Sequence, residues 1–332
     1  MKKLINNPDN ILQEMIEGMT LAHPDYIKRL ENTNVLVRTD LKNKNKVAIV
    51  SGGGSGHEPA HAGYVGLGML DAAVAGEVFT SPTPDQVYEA IKAVDSGDGV
   101  LLVVKNYTGD IMNFDMAKEM AEMEGIKVES VIVNDDVAVE DSTYTAGRRG
   151  IAGTVFVHKI AGAKAEEGAS LEEVKNVAQK VVDNVRSMGM ALTSCIVPAV
   201  GKSNFELGEN EMEIGMGIHG EPGIYRKDIS TADEVAQELV NKILKDMSIN
   251  NGEEVAVMVN GLSGTPLMEL YIINKKVNEI LMAKGVKIHK TFVGEFMTSL
   301  EMVGCSVSIL KLDDELKGLL DAKANTPAFK VI

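Results

Sequence analysis

An α/β fold arranged as two α/β domains is what this sequence predicts, and three observations predict it. Strand-like and helix-like segments alternate along the 332 residues, a length that suits two ordinary cores. Some strand signals, residues 101–104 above all, are unbroken apolar runs of the kind buried in parallel sheets. Polar, glycine-rich stretches stand at three strand ends, where α/β proteins hold small ligands.

In the first half, strands are expected at residues 47–50, 72–78, 100–104 and 128–133, with helices at 84–95 and 110–124. Gly125 is placed to end the second helix. Residues 135–150, with D-D, E-D-S-T and G-R-R-G, read as a loop. Two helices follow at 150–168 and 170–187. The second opens on a capping box, Ser170 as N-cap and Glu173 three residues on. A second strand–helix series is expected as strands 191–197 and 211–218, helix 231–247, strand 254–260, helix 266–284, and strands 286–292 and 306–312. The domain boundary is placed near residues 187–190, dividing the chain into 1–187 and 188–332. No internal repeat or low-complexity segment is visible.

Net charge is -15, from 33 basic and 48 acidic side chains. Such a surface repels phosphate backbones and anionic lipid, which argues against nucleic-acid and membrane partners. The two cysteines, Cys195 and Cys305, are far apart and have no C-x-x-C neighbour, as in a reduced cytosolic protein. The start M-K-K-L-I-N-N-P-D-N lacks the apolar core of a signal peptide, and no apolar run reaches the roughly 20 residues of a membrane helix. A cytoplasmic location is expected.

The first strand end is S-G-G-G-S-G-H-E-P-A-H-A-G-Y-V-G, residues 51–66. Glycines 52, 53, 54 and 56 let the backbone approach a ligand. His57 and His61 would share one face if a helix started near Glu58. A nucleotide loop is excluded: His57 stands where G-x-x-x-x-G-K-[ST] needs its lysine, and it also breaks G-x-G-x-x-G. The plain alternative is a structural glycine turn with surface histidines. The second end, K-N-Y-T-G-D, carries Lys105 and Asp110, and Asp110 could instead be the N-cap of the next helix. The third, E-I-G-M-G-I-H-G-E-P-G, sets His219 among glycines that leave its ring open, although a lone histidine is commonly structural.

A neutral imidazole can attack a carbonyl carbon to give a covalent hemiaminal, and a carboxylate can take a proton from a hydroxyl. A small polyhydroxy carbonyl compound fits that set. Zinc on His57 and His61 is the competing idea, but H-E-P-A-H is not the helical H-E-x-x-H, because Pro59 suits only a first helical turn. No metal site is expected.

These three stretches, with G-E-V-F-T-S-P-T-P-D-Q-V, D-D-V-A-V, G-R-R-G-I-A-G-T-V-F-V-H-K-I-A-G-A and V-N-G-L-S-G-T-P, resemble the dihydroxyacetone kinase family, and within it the separate K subunits of the phosphoenolpyruvate-dependent bacterial enzymes. The resemblance covers nearly the whole chain. It implies two α/β domains with the substrate site between their glycine-rich loops, and a homodimer. It implies that His219 binds dihydroxyacetone covalently, that Asp110 acts as base with His57 assisting, and that Gly54 and Lys105 line the substrate. The chain stops at Ile332 without the nucleotide-binding domain of the fused members, so no cofactor is expected on it. The resemblance instead implies a partner L subunit holding ADP and magnesium, recharged by a phosphotransferase-system M subunit. The alternative it leaves is a paralogous coactivator that binds dihydroxyacetone without phosphoryl transfer.

Overall fold

The computed structural model describes residues 2–41, 45–140, 145–203 and 205–332. Its first six-stranded sheet contains β1 (Ile27–Arg29), β2 (Val35–Arg38), β3 (Ala48–Ser55), β4 (Ala72–Val78), β5 (Val100–Lys105) and β6 (Val128–Val133), in the order β1-β2-β4-β3-β5-β6. Strands β4, β3, β5 and β6 run parallel, and β2 and β1 extend the sheet antiparallel. The second sheet contains β7 (Val185–Ala191), β8 (Glu211–Ile214), β9 (Tyr225–Asp228), β10 (Glu254–Gly261), β11 (Lys287–Gly294) and β12 (Gly304–Leu312), in the order β11-β10-β12-β7-β8-β9. Only its β10–β11 pair is parallel.

Helices flank both sheets. They are α1 (Ile11–Ala22), α2 (Pro84–Val94), α3 (Thr108–Met123), α4 (Thr154–Glu166), α5 (Leu171–Asn184), α6 (Ala232–Asp246), α7 (Leu267–Ala283) and α8 (Asp314–Asp321). α2 and α3 cover one face of the first sheet through Val87, Ile91, Phe114 and Ala117. α6 and α7 cover the outer face of the second through Leu239, Ile243, Leu270 and Val277. Between the sheets, α1, α4, α5 and α8 share one apolar cluster with Ile49 and Leu101 of the first sheet and Met258 and Leu310 of the second. α4 is buried almost all round, as suits a helix apolar on every side.

The cleft follows from strand order. β3 has β4 on one side and β5 on the other, so strand order reverses there. The β3–β5 ladder ends at Ser51 and Val103, whereas β3–β4 pairing continues to Ser55 and Val78. Residues 52–55 therefore separate from β5, and a crevice opens at the carboxyl ends of the two strands.

Several boundaries differ from the sequence expectation. β3 runs to Ser55, so glycines 52–54 belong to a strand and only Gly56 begins the turn. No α-helix starts at Glu58; a turn leads to one 3₁₀ turn at Ala62–Tyr64. α5 ends at Asn184, and Val185 to Ser187 open β7, because they pair with β12. Of the strand expected at 191–197, only Ala191 is strand; Cys195 instead packs against Met216, Leu262 and Met302. β8 stops at Ile214, where Gly215 takes a φ of 82°. The division at residues 187 and 188 falls within β7. Residues 141–144 of the expected loop lie outside the described residues. The capping box at Ser170 and Glu173 is present, and Gly125, at φ 83°, ends α3.

Asp71, directly before β4, sits at the opposite end of the parallel strands from the crevice. Its carboxylate accepts from Arg38 Nη1 (3.0 Å), Lys46 Nζ (2.7 Å) and the Ile49 amide (2.8 Å), and both it and Arg38 are fully buried. Removing one partner of a buried charge cluster strands the others. Asp71→Ala should lower unfolding stability by about 3–5 kcal/mol in urea denaturation. A loss below ~1 kcal/mol would show that Asp40 and Glu166 compensate for it.

Candidate functional site

A cleft of about 630 Å³ lies at the crevice, lined by Gly54, the segment Phe79–Ser81, Tyr107 to Asp110, Asn113, Val197 and His219. Three strand ends of the first sheet supply most of it. The loop after β8 brings His219 from the second half of the chain. The stretches singled out in the sequence thus converge, and His219, Asp110 and Gly54 face the same space.

His219 sits edge-on to the rings of Tyr107 (4.6 Å between centroids), His57 (4.7 Å) and Phe79 (5.2 Å). Its Nδ1 lies 2.9 Å from Glu221 Oε1, and its backbone N–H donates to Glu221 Oε2 at 2.8 Å. Burial alone would raise the Glu221 carboxyl, but His219 and Arg149 beside it bring it down to about 2. Glu221 is therefore a carboxylate at neutral pH, and Nδ1 must be the donor of the pair. That tautomer puts the lone pair on Nε2.

His57 is fully buried, with its ring stacked on Phe79 at 5.0 Å. Its Nδ1 donates to the Thr298 carbonyl at 2.8 Å, and its Nε2 has no hydrogen-bond partner. Burial first, then His219 and Lys105, push its pKa well below the usual histidine range. His57 is thus a neutral ring with an acceptor nitrogen. The Thr298 segment is held in turn by Asn260, which donates to the Met297 carbonyl and accepts the amides of Phe296 and Met297.

Asp110 is not the N-cap of α3; Tyr107 holds that position and Asp110 is the helix's third residue. The helix N-terminus favours its negative charge. Its Oδ2 accepts from Lys105 Nζ at 3.2 Å. Lys105 is fully buried beside β3, and a Cβ on Gly53 would stand 2.5 Å from its Nζ. A side chain at 53 would therefore displace the Lys105 ammonium from its place beside Asp110.

His61 does not share a site with His57. Its Nδ1 lies 2.9 Å from Nε2 of His158 on α4, in the core behind β3. Burial, then Lys105, pushes His158 down to about 3. Among the described residues, no group of three or more His, Cys, Asp or Glu side chains stands together as metal ligands would.

Two further buried polar atoms at the cleft, Ser81 Oγ and Tyr107 Oη, have no hydrogen-bond partner. Buried groups of this kind are normally satisfied, so they point to a polar ligand. Sequence reading missed them, along with Phe79, Glu221 and Arg149. Each lies inside a stretch that had been singled out, but the role of each depends on what it faces across the chain.

A model of the Dak1 domain matches residues 17–328. The chain belongs to the Dak1 domain family. Within that family it is 56% identical over 315 residues to the "PTS-dependent dihydroxyacetone kinase 1, dihydroxyacetone-binding subunit DhaK" of Listeria innocua, covering 95% of each chain. The solved dihydroxyacetone kinase of C. freundii in complex with AMP-PNP and Mg²⁺ superposes with a TM-score of 0.91 at 39% identity, over 99% of this chain and 61% of that one. The "dihydroxyacetone kinase operon co-activator Dha-DhaQ" superposes with a TM-score of 0.88 at 36% identity, over 95% of this chain and 97% of that one. The Dak1 fold is thus shared by proteins named as kinases and by one named as a co-activator. No helix among the described residues is long and apolar enough to cross a membrane.

Proposed function

We propose that this chain is the dihydroxyacetone-binding subunit of a phosphoenolpyruvate-dependent dihydroxyacetone kinase. One observation carries the reading: a glutamate-bound imidazole, His219, enters a cleft that also holds Asp110, and the fully buried His57, its Nε2 unpartnered, packs against the His219 ring at 4.7 Å. Relatives named for dihydroxyacetone binding support it. Nε2 of His219 attacks the ketone carbon, the carbonyl π electrons move to oxygen, and that oxygen takes a proton from solvent. The ring is left positively charged beside Glu221, and loss of the Nδ1 proton to solvent gives the neutral hemiaminal. Asp110 then takes the proton of a terminal hydroxyl as that oxygen attacks the phosphoryl group and the phosphorus–oxygen bond to the partner's nucleotide breaks, leaving ADP, while His57 Nε2 accepts a hydrogen bond that orients the substrate. Lys105 and Gly54 shape the floor of the site.

The phosphoryl donor in this reading is an L subunit carrying ADP and magnesium, recharged by a phosphotransferase-system M subunit. The chain acts as a cytoplasmic homodimer, divided into domains at 1–187 and 188–332 with roughly one sheet to each. Purified protein with dihydroxyacetone and a charged L subunit should form dihydroxyacetone phosphate. With ATP and magnesium alone it should form none, since no phosphate loop with a lysine is present and the net charge of -15 disfavours free nucleotide. Robust ATP-dependent turnover by the chain alone would sink this division of labour.

The second reading, a dihydroxyacetone-binding coactivator, is favoured by the likeness to the co-activator structure. Asp110 and His57 beside His219 favour catalysis, because binding alone requires no base. Covalent capture without any turnover in the presence of a charged L subunit would favour the coactivator.

A further inference from the structure

Behind His219 a buried chain of charges runs from one half of the protein to the other. Arg149, at the end of the loop after β6, is fully buried. Its Nε donates to Asp136 Oδ2 at 2.8 Å, and its Nη2 donates to the Gly215 carbonyl at 2.7 Å. Nη1 reaches towards the Pro222 carbonyl at 3.5 Å. The guanidinium therefore grips both ends of the loop that carries His219. The same Nη1 faces Glu221 across Gly217: a Cβ on Gly217 would stand 2.7 Å from Nη1 and 2.1 Å from Glu221 Oε2. Only a hydrogen at residue 217 leaves room for that approach. Glu221, 2% exposed, spends one oxygen on the His219 backbone and the other on its Nδ1.

We propose that Glu221, in the field of the buried Arg149–Asp136 pair, is a positioning residue that fixes His219 in the tautomer with the proton on Nδ1. This deepens the reading of His219 as the nucleophile and rests on it. A neutral imidazole exchanges between two tautomers, and only the one with the proton on Nδ1 carries the lone pair on Nε2. A carboxylate accepts at both oxygens, so it serves the backbone N–H and the ring N–H together. An amide has one acceptor oxygen and can serve only one of them. The same carboxylate faces the positive charge that the ring acquires during attack, as the aspartate of a serine-protease triad faces its histidine. Arg149 counters the cost of burying Glu221 and ties the loop to the first half of the chain, so the tautomer and the position of the ring are set by one network.

The test is Glu221→Gln, read in three ways. In ¹⁵N spectra of the free protein, the wild-type His219 ring should show one tautomer with the proton on Nδ1, and the variant a mixture or the opposite one. Calorimetry should show dihydroxyacetone affinity weakened about tenfold or more, the value of one hydrogen bond to a charged group. Glycerol affinity should be unchanged, since it has no carbonyl to attack. A double variant, Asp136→Asn with Arg149→Gln, removes the buried pair together and should give an intermediate loss. Unchanged spectra and unchanged dihydroxyacetone affinity in Glu221→Gln would overturn the proposal. If the variant does not fold, the wild-type spectrum still decides, because a dominant Nε2–H tautomer would refute it. If the wild type forms no adduct at all, the nucleophile reading fails, while the tautomer measurement on the free protein still reports on Glu221.

Discussion

His219→Ala will abolish the covalent adduct with dihydroxyacetone and leave the fold intact. The side chain is 14% exposed at the rim of the cleft, so its loss leaves no closed cavity in the core. The effect on binding should be large because the ligand is small. Six heavy atoms gain at most about 1.5 kcal/mol each, and usually much less, from noncovalent contact. Glycerol differs from dihydroxyacetone by a hydroxyl in place of the carbonyl, and hydrogen bonds alone discriminate poorly between the two. A hemiaminal requires the carbonyl, so the covalent step itself supplies selectivity. Calorimetry on wild type and variant should therefore show strong preference for dihydroxyacetone only when His219 is present. Glyceraldehyde should also react, whereas glycerol should bind weakly if at all. Equal wild-type affinity for glycerol and dihydroxyacetone would show that the imidazole is not the source of selectivity. Glu221, with its carboxyl lowered to about 2, loses its charge only as pH falls through that value. An acid limb of capture at higher pH thus reports another group.

Asp110→Asn will remove turnover while capture persists. General-base help is commonly worth roughly 10²–10⁴ in rate, and an amide cannot take the hydroxyl proton. Lys105 loses its carboxylate partner at 3.2 Å in this variant, so folding has to be checked by thermal melting alongside rate. Steady-state assays with a charged L subunit should show the rate loss, and calorimetry should show the adduct still forming. Near-normal turnover would reject Asp110 as the base. His57 cannot substitute for it without cost to orientation, since its Nδ1 is committed to Thr298 and its ring is stacked on Phe79 and packed edge-on with His219. Its pKa lies well below the histidine range, so it stays neutral as pH falls through that range, and an acid limb there is not its protonation.

Much of the fold was legible in local pattern. The apolar runs of β4, β5 and β6 and the amphipathic stripes of α2, α5 and α6 carry their periods in the sequence, so their positions match within a few residues. The elements that were missed have weaker local signals. α1 and the short strands β1 and β2 lie in the unassigned first 46 residues, and β1 has only three residues. α8 has eight residues and follows the N-cap Asp313, whose side chain accepts from the Leu316 amide. The stretch after Ala191 misled because Cys195 and Ile196 are apolar for a different reason: Cys195 fills a small cluster with Met216 and Met302 and pairs with no strand.

By itself, the sequence determined the three strand ends that carry Gly54, Lys105, Asp110, His57 and His219, because glycine, polar side chains and apolar runs write their preferences locally. Tertiary structure alone decided what those groups are. Separation of β3 from β5 after Ser51 made the cleft, and strand pairing is a long-range property. It parted His57 from His61, which sequence spacing had placed on one face, and sent His61 to His158, 97 residues away. It set Glu221 against His219 and brought Arg149 across from the other half of the chain, turning a solvent-like arginine and glutamate into a buried network. A charge's role depends on its partners and on the water excluded around it, and both are decided only when distant segments pack together.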